Sequence, residues 1–247
     1  MSDFLSMGKL TNFDGMTFAQ RAIRFHKNLT YTGGALPPGI RIMNPFKENP
    51  EALRVTSEFL EKYFDDNRKR HLILGINPGR FGAGLTGIGF TDPKRLVSEC
   101  HIAYHGRITH EPSSVFIYDM IKVYGGPKAF YHDFYINSPC PLGFTSIKPG
   151  GKEVNYNYYD SRELIEATTP FILQSIRKLI RLGVFTDTCI CLGTGKNARF
   201  LQQLNEEHRF FKTIVPLEHP RFIMQYKLLT KDHYIRKYLE VLHSVLK

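Results

Sequence analysis

Two short apolar segments of the sequence end at polar side chains that could take part in catalysis. Residues 71–76 are followed by an Asn-Pro-Gly turn that begins at Asn77, and residues 212–217 are followed by a His-Pro pair that begins at His219. Apolar runs of this length are typical of buried strands, and proline cannot continue a strand. In an open α/β sheet, ligands bind at the carboxyl ends of the strands. An amide and an imidazole are therefore expected where chemistry takes place.

A third predicted strand ends in the same way. Residues 134–137 finish on Asn137, and two prolines follow within four residues. An asparagine side chain carries both a donor and an acceptor, which is what the recognition of an amide-like base edge requires. Taken singly, Asn77 also fits a residue that caps its own turn, and His219 also fits a core histidine. Together, at the ends of parallel strands, these side chains favour a functional site.

The elements that position these residues alternate along the chain between strands and helices. Helices are predicted over residues 17–28, 50–64, 113–124, 160–182, 196–206 and 227–247, and the remaining strand over residues 188–193. Asp160 is the predicted N-cap of the fourth helix, and Gly183 is its predicted stop. This alternation predicts an α/β fold, a three-layer α/β/α sandwich with a short, mainly parallel four-stranded sheet. We expect one domain over residues 1–247, in which residues 1–39 form an amino-terminal helix and link.

The charge of the chain predicts a polyanionic partner. The sequence has 247 residues, a formal net charge of +10 and a pI near 9.4. Residues 221–247 contain six Lys or Arg and two acidic residues, directly after the His-Pro pair. Nucleic acid is the first candidate partner and an anionic membrane surface the second, while a charge that serves only solubility is the alternative. We find no apolar run long enough to cross a bilayer and no secretory signal at the amino terminus, so we expect an intracellular protein.

Two further patterns bear on metal and nucleotide binding. The four cysteines form no C-x-x-C pair, which argues against structural zinc and favours buried, reduced thiols, with Cys189 and Cys191 on one face of a strand. Residues 82–87 match G-x-G-x-x-G, but that fingerprint needs a strand directly before it and a helix that opens within it. A flexible loop, whose glycines let the backbone approach a ligand closely, fits residues 82–87 better. In residues 193–197 two glycines are expected to turn a strand into a helix.

Three of these segments resemble a known family. Residues 75–90 (GINPGRFGAGLTGIGF), residues 137–142 (NSPCPL) and the His219-Pro220 pair are similar to the single-strand-selective monofunctional uracil-DNA glycosylases, of the uracil-DNA glycosylase superfamily. The resemblance extends over residues 40–246. It implies a uracil-DNA glycosylase-like fold and removal of uracil, and of related deaminated bases, from DNA without a cofactor or metal.

The resemblance also implies roles for individual residues. Asn77 would position the attacking water and His219 would stabilise the departing base. The base itself would contact five residues: Ile76, Gly79, Phe81, Phe90, which would stack on it, and Asn137, which would read its edge. DNA would contact Arg80, Arg221, Phe222 and Lys227, and the loop after His219 would push into the duplex.

The chain departs from the family pattern at Arg80, Ala83 and Arg221, which indicates a divergent member with an altered preference among damaged bases. The expected partner is single- or double-stranded DNA with a damaged base, without membrane association. The protein is expected to be a monomer in the cytoplasm or nucleoid, or in the nucleus of a eukaryote. Two alternatives remain: a DNA-damage-binding protein with weak or no turnover, and a nucleotide-dependent enzyme that uses the glycines of residues 82–87.

Overall fold

The computed structural model describes residues 15–247. Its strands are β1 (Ile40–Met43), β2 (Arg70–Leu74), β3 (Phe134–Asn137), β4 (Gly143–Ile147), β5 (Glu153–Tyr156), β6 (Val184–Leu192) and β7 (Thr213–Leu217). The expectation that the amino terminus carries no secretory signal concerns mainly residues 1–14, which lie outside the described residues.

Four of the strands form the predicted parallel sheet. The strand order is β3-β2-β6-β7, and each neighbouring pair is parallel. The carboxyl ends of all four strands therefore lie along one edge. Strand β6 begins at Val184, four residues earlier than the predicted start at residue 188. Cys189 and Cys191 of this strand are both buried free thiols, as the alternation predicts.

Helices cover the parallel sheet and complete the three-layer sandwich. They are α1 (Phe18–Lys27), α2 (Pro45–Glu48), α3 (Pro50–Phe64), α4 (Ala83–Thr86), α5 (Pro93–Ser98), α6 (Pro112–Tyr124), α7 (Pro127–Asp133), α8 (Arg162–Arg181), α9 (Lys196–His208), α10 (Pro220–Tyr226) and α11 (Lys231–Ser244). Helices α8 and α9 pack against β6, and α7 packs against β2 and β3. The apolar residues of the sheet lie between these helices, so the sheet is buried as parallel sheets usually are.

A second sheet was not predicted. Strands β1, β4 and β5 form an antiparallel sheet in the order β1-β4-β5, and residues 148–152 connect β4 to β5 as a hairpin. The connection contains Pro149, Gly150 and Gly151, a combination that favours tight turns. This small sheet brings the end of β5 beside the turn that follows β2.

The structure corrects four local predictions. Ser161, rather than Asp160, caps α8, because its hydroxyl accepts a hydrogen bond from the Leu164 amide at 3.2 Å. The predicted helix over residues 227–247 begins only at Lys231, after a 3-10 turn. The segment after His219 is the helix α10 and not a loop, because Pro220 occupies its first turn. Residues 82–87 contain the single helical turn of α4 within the close-approach loop.

No helix among residues 15–247 is long and apolar enough to span a bilayer. The same residues contain no group of three or more His, Cys, Asp or Glu side chains placed to hold a metal ion.

Candidate active site

A cavity of about 360 Å³ opens at the carboxyl ends of the parallel strands. It is lined by seven of the residues that the sequence predicted for the site: Ile76, Asn77, Gly79, Phe90, His219, Arg221 and Phe222. The amide after β2 and the imidazole after β7 therefore share one cavity, although β6 lies between their strands. We call this space the outer cavity.

The Asn77 side chain is held at both ends by the last residue of β5 and the segment that follows it. Its Nδ2 donates to the carbonyl of Tyr156 at 3.2 Å, and its Oδ1 accepts from the backbone N–H of Tyr158 at 3.1 Å. These two contacts define which end of the amide is oxygen and which is nitrogen. Each end keeps further hydrogen-bonding capacity, since the oxygen has a second lone pair and the nitrogen a second hydrogen. Asn77 can therefore hold a water molecule in a defined orientation.

A buried pair joins the two chain segments that meet at Asn77. The hydroxyl of Tyr158 donates to Oδ1 of Asn197 at 2.6 Å, and Nδ2 of Asn197 donates to the carbonyl of Gly75 at 3.0 Å. Both side chains are almost fully buried. Asn197 thus links the end of β2 to the segment that clamps Asn77. In the glycine-containing stretch 193–197, the asparagine has this structural role, and the glycines turn β6 into α9 as predicted.

The His219 imidazole is the N-cap of α10, and this contact defines its tautomer. Its Nδ1 accepts a hydrogen bond from the Arg221 backbone N–H at 3.1 Å. The proton of the neutral ring is then on Nε2, which is a donor. Burial, together with the nearby Arg221 charge, lowers the pKa of His219 to about 4. At neutral pH the ring is therefore uncharged and offers one N–H.

Phe90 lies beside His219 in an unusual backbone conformation. The two ring centroids are 5.5 Å apart, and Phe90 has a φ of +54°, which is uncommon for a residue other than glycine. A Cβ atom on Gly75 would lie 3.0 Å from the Phe90 ring, so only glycine leaves the ring its position. Strained residues held in place by their surroundings are frequent at active sites. Phe90 is thus fixed as an apolar wall of the outer cavity.

Asn137 lines a second, smaller cavity of about 40 Å³, the inner cavity, and not the outer one. Its Nδ2 donates to the Tyr135 hydroxyl at 2.9 Å, and its Oδ1 accepts from the Ser138 backbone N–H at 2.8 Å. The two cavities share the walls Pro78, Ala83, Gly89 and Ser138. Asn137 is therefore next to the Asn77 and His219 site but separated from it by this wall.

Three residues predicted for the site lie outside both cavities. The Arg80 guanidinium is 5.0 Å from the centroid of the exposed Phe81 ring and 3.5 Å from the Glu153 carboxylate. Lys227 is exposed beyond the end of α10. These side chains belong to the surface around the opening. Phe81 is exposed and lines neither cavity, so its position gives no support to a direct contact with a base there.

A carboxyl group that the sequence did not predict also lines the outer cavity. Burial and the neighbouring Asp92 raise the pKa of Glu111 to about 7, while the Arg221 charge opposes them. A Cβ atom on Gly82 would lie 2.0 Å from Oε2 of Glu111, so the glycine of the loop makes room for the carboxyl. A carboxylate at this position disfavours a bound phosphate, which argues against the nucleotide-binding alternative for residues 82–87.

The first residues of α10 divide between the core and the surface. Ile223 is fully buried, whereas Phe222 is 42% exposed and packs on Tyr226 with ring centroids 5.5 Å apart. Of these two apolar side chains, Ile223 is therefore in the core. The other forms an exposed aromatic pair at the mouth of the outer cavity.

Sequence reasoning missed the clamp on Asn77 as well as Glu111. The Pro-Gly-Gly turn at residues 149–151 is a hairpin signal that could have placed β5, and with it Tyr156 and Tyr158. No local signal could have placed Glu111, because its neighbours in the cavity are distant in sequence.

Comparisons with known proteins agree on one family. The model of the uracil DNA glycosylase superfamily matches residues 61–243. The chain is 61% identical to wild-type SMUG2 of Pedobacter heparinus, whose crystal structure superimposes with a TM-score of 0.92 and covers 93% of this chain and 98% of that chain. No curated protein matches the chain.

Proposed function

The chain belongs to the uracil-DNA glycosylase superfamily, and from this premise we propose that it removes uracil from DNA by hydrolysis of the N-glycosidic bond. The observation that carries the proposal is the presence of Asn77 and His219 in one cavity, each with its orientation defined by a backbone hydrogen bond. DNA is the substrate of this family. The hydrolysis needs only water as a co-reactant.

The target base must leave the duplex to reach such a cavity. Enzymes that act on a base flip it out of the stack at a cost of a few kcal/mol. We propose that the flipped base stacks on Phe90 and contacts Ile76 and the backbone at Gly79. Asn137 would form hydrogen bonds to the edge of the base from the inner cavity, once the base extends beyond the four residues that line both cavities.

The neutral His219 ring suits the charge that develops in this reaction. When the glycosidic bond breaks, the electron pair moves onto the departing base, and its carbonyl oxygen becomes negative. A preoriented N–H aimed at such an oxygen stabilises the transition state. We propose that Nε2–H of His219 is this donor.

Asn77 supplies orientation rather than basicity. An amide cannot hold a proton near neutral pH, so it is a poor general base. An orienting amide is sufficient if the glycosidic bond is largely broken before water attacks, because the water then needs only to be held in place. The water oxygen bonds to the anomeric carbon of the sugar, and one water proton is released.

The surface around the opening would bind the DNA backbone. Arg80, Arg221 and Lys227 supply positive charge there, and phosphate contacts position a duplex without reading its sequence. Within the basic carboxyl-terminal stretch, Lys231 contacts Asp119 at 2.6 Å and Lys237 contacts Glu218 at 2.8 Å. These two lysines therefore stabilise the fold in addition to any role at DNA. We propose that the protein acts as one domain and as a monomer inside the cell.

The proposal is tested by incubating the protein in excess with oligonucleotides that carry one uracil, in duplex and single-stranded form. We expect free uracil and an abasic site that alkali cleaves. Matched strands with xanthine, hypoxanthine and oxidised pyrimidines define which further bases are released. If no uracil is released from either form, the chain is not a uracil-DNA glycosylase.

The raised pKa of Glu111 predicts a pH dependence of DNA binding. Glu111 is neutral below its pKa of about 7 and becomes negative above it, so its repulsion of phosphates begins as the pH rises from 6 to 8. We expect the Kd for undamaged duplex to rise over this interval by about threefold to fivefold more in the wild type than in Glu111→Gln, from a repulsion of about 1 kcal/mol. Fluorescence anisotropy at constant ionic strength measures both proteins.

Glu153→Gln is the matched control for this prediction. The Thr145 hydroxyl, which donates to Glu153, and the nearby Arg80 and Arg41 charges lower the pKa of Glu153, so it stays ionised throughout the interval. This variant should keep the pH dependence of the wild type. The same pH dependence in Glu111→Gln and in the wild type would contradict the assignment.

The exposed aromatic pair of α10 predicts a difference between DNA forms. Phe222 lines the outer cavity, and apolar side chains that enter a base stack help to hold it open. We expect Phe222→Ala to lower uracil excision from duplex about tenfold and from single-stranded DNA less than threefold, because no stack is opened there. Val123→Ala, at an exposed site near the end of α6, should change neither rate. Equal losses on both substrates would assign Phe222 a structural role.

A further inference from the structure

The inner cavity is lined by a histidine from outside the segment that matches the family model. His26 belongs to α1, whereas the match covers residues 61–243. His26 is 5% exposed, and its Nδ1 has no hydrogen-bond partner among the described residues. Tyr135 and Asn137 line the same cavity. The other ring nitrogen, Nε2, lies 3.3 Å from the Tyr135 hydroxyl, so this is the polar contact that ties the ring to the cavity wall.

These three side chains form one hydrogen-bonded chain. Asn137 Nδ2 donates to the Tyr135 hydroxyl at 2.9 Å, and that hydroxyl is 3.3 Å from Nε2 of His26. The hydroxyl has one hydrogen and already accepts from the amide, so its hydrogen is free to go to Nε2. Burial lowers the pKa of His26 to about 3, which keeps the ring neutral and able to accept. With the ring proton on Nδ1, the chain has one direction of donation, from amide to hydroxyl to imidazole.

The middle member of the chain is fixed by packing. The Tyr135 ring centroid lies 5.1 Å from that of Phe18 in α1 and 5.5 Å from that of Phe64 in α3. His26 packs on Phe46 with centroids 4.6 Å apart. Neither ring can move without disturbing the aromatic core. The hydroxyl therefore meets Asn137 as a rigid acceptor.

We propose that His26 and Tyr135 are specificity-determining positioning residues that hold the Asn137 carboxamide in the orientation complementary to uracil. The inference rests on the proposed function, because it concerns the residue that would read the base. Neither residue needs to touch the reacting atoms. Both act through Asn137.

The chemistry of the base edge explains why this orientation matters. With one Nδ2 hydrogen given to Tyr135 and one Oδ1 lone pair given to Ser138, the amide keeps one donor and one acceptor. Uracil presents a carbonyl oxygen and an N–H on the edge away from the sugar, which match that pair. Cytosine presents an amino group and a bare ring nitrogen, which match the rotated amide. Rotation would place the amide nitrogen against the Ser138 N–H and would turn the amide oxygen toward Tyr135.

A double-mutant cycle tests whether Tyr135 acts through Asn137. Single-turnover excision of uracil from single-stranded DNA is compared for the wild type, Tyr135→Phe, Asn137→Ala and the double variant. We expect Tyr135→Phe to lower the rate about tenfold, which corresponds to one lost hydrogen bond near the upper end of the usual range. In the Asn137→Ala background the same change should cost less than twofold, because the residue through which it acts is gone.

Substitutions of His26 give a second, independent readout. His26→Leu removes the acceptor and should lower excision in the same direction as Tyr135→Phe. His26→Gln keeps an acceptor oxygen near the position of Nε2 and should recover most of the rate. Tyr124→Phe is the matched control, since it removes a hydroxyl that bonds to Asp133 at 2.6 Å, away from both cavities. It should leave excision unchanged.

Binding of free uracil, followed by NMR titration of the protein, separates this inference from the proposed function. We expect Tyr135→Phe to weaken uracil binding about tenfold only when Asn137 is present. This coupling in a protein that releases no uracil from DNA would overturn the proposed function and leave the positioning role intact. If the wild type excises uracil, the positioning role is overturned by either of two results. One is that Tyr135→Phe causes equal losses with and without Asn137, and the other is that His26→Gln recovers no activity.

Discussion

Asn77→Ala is expected to lower single-turnover excision of uracil by at least a hundredfold while the Kd for DNA stays within threefold of the wild type. The amide is clamped by the Tyr156 carbonyl and the Tyr158 N–H, so its remaining lone pair is held toward one place in the outer cavity. Alanine leaves the water without a partner, and small losses of orientation have large effects on rate. DNA affinity should persist because it comes mainly from phosphate contacts.

Rapid-quench excision assays and anisotropy titrations measure the two quantities on the same oligonucleotide. Asn67→Ala is the control, as it removes an exposed amide that accepts from Arg21 at 3.2 Å, precedes β2 and lines neither cavity. It should behave as the wild type. An Asn77→Ala protein with excision within threefold of the wild type would remove Asn77 from the mechanism.

The parallel sheet was predictable because its strands are short apolar runs that end on turn residues. Strand β3 and helix α3 have the predicted bounds, and β7 begins one residue after the predicted start. Asn77 and His219 share a cavity, as their places at strand ends suggested. In a parallel sheet the side chains after the strands meet at one edge, so topology alone brings them together. This part of the site follows from sequence pattern.

The antiparallel sheet was harder to predict because two of its three strands, β1 and β5, are only partly buried. Strands β1 and β5 have no fully buried residue, so they lack the apolar run that marks the parallel strands. Yet the end of β5 provides the clamp that orients Asn77. The orientation of the Asn77 side chain depends here on backbone groups from a distant segment, which no local pattern reveals.

The place of Asn137 shows a second limit. The sequence predicts correctly that it ends β3, but its side chain turns to Tyr135 and lines the inner cavity. That rotamer depends on a hydroxyl two residues away and on a histidine of α1, in contact only after folding. The segment after His219 was taken as a loop because proline ends strands, although proline is equally favoured in the first turn of a helix.

His219→Asn is expected to lower uracil excision by about a hundredfold to a thousandfold while the fold is kept, since this is the typical loss for one such donor. In the structure Nδ1 of His219 caps α10, and we propose that Nε2–H is the donor to the departing base. Asparagine is one of the best N-cap residues and can replace the Nδ1 acceptor, but it has no group at the position of Nε2. The variant therefore removes the donor and retains the cap.

His219→Ala is the complementary test of the capping role and the proposed donor role. It removes cap and donor together, so we expect a similar loss of excision and an additional loss of about 1 kcal/mol in the free energy of unfolding. Urea denaturation should thus distinguish alanine from asparagine, while excision assays should not. Since the pKa of His219 is about 4, the neutral donor persists down to that pH, and His219 itself should cause no loss of excision between pH 8 and pH 5. An asparagine variant that excises uracil at the wild-type rate would show that α10 needs only a cap at this position and that another group stabilises the departing base.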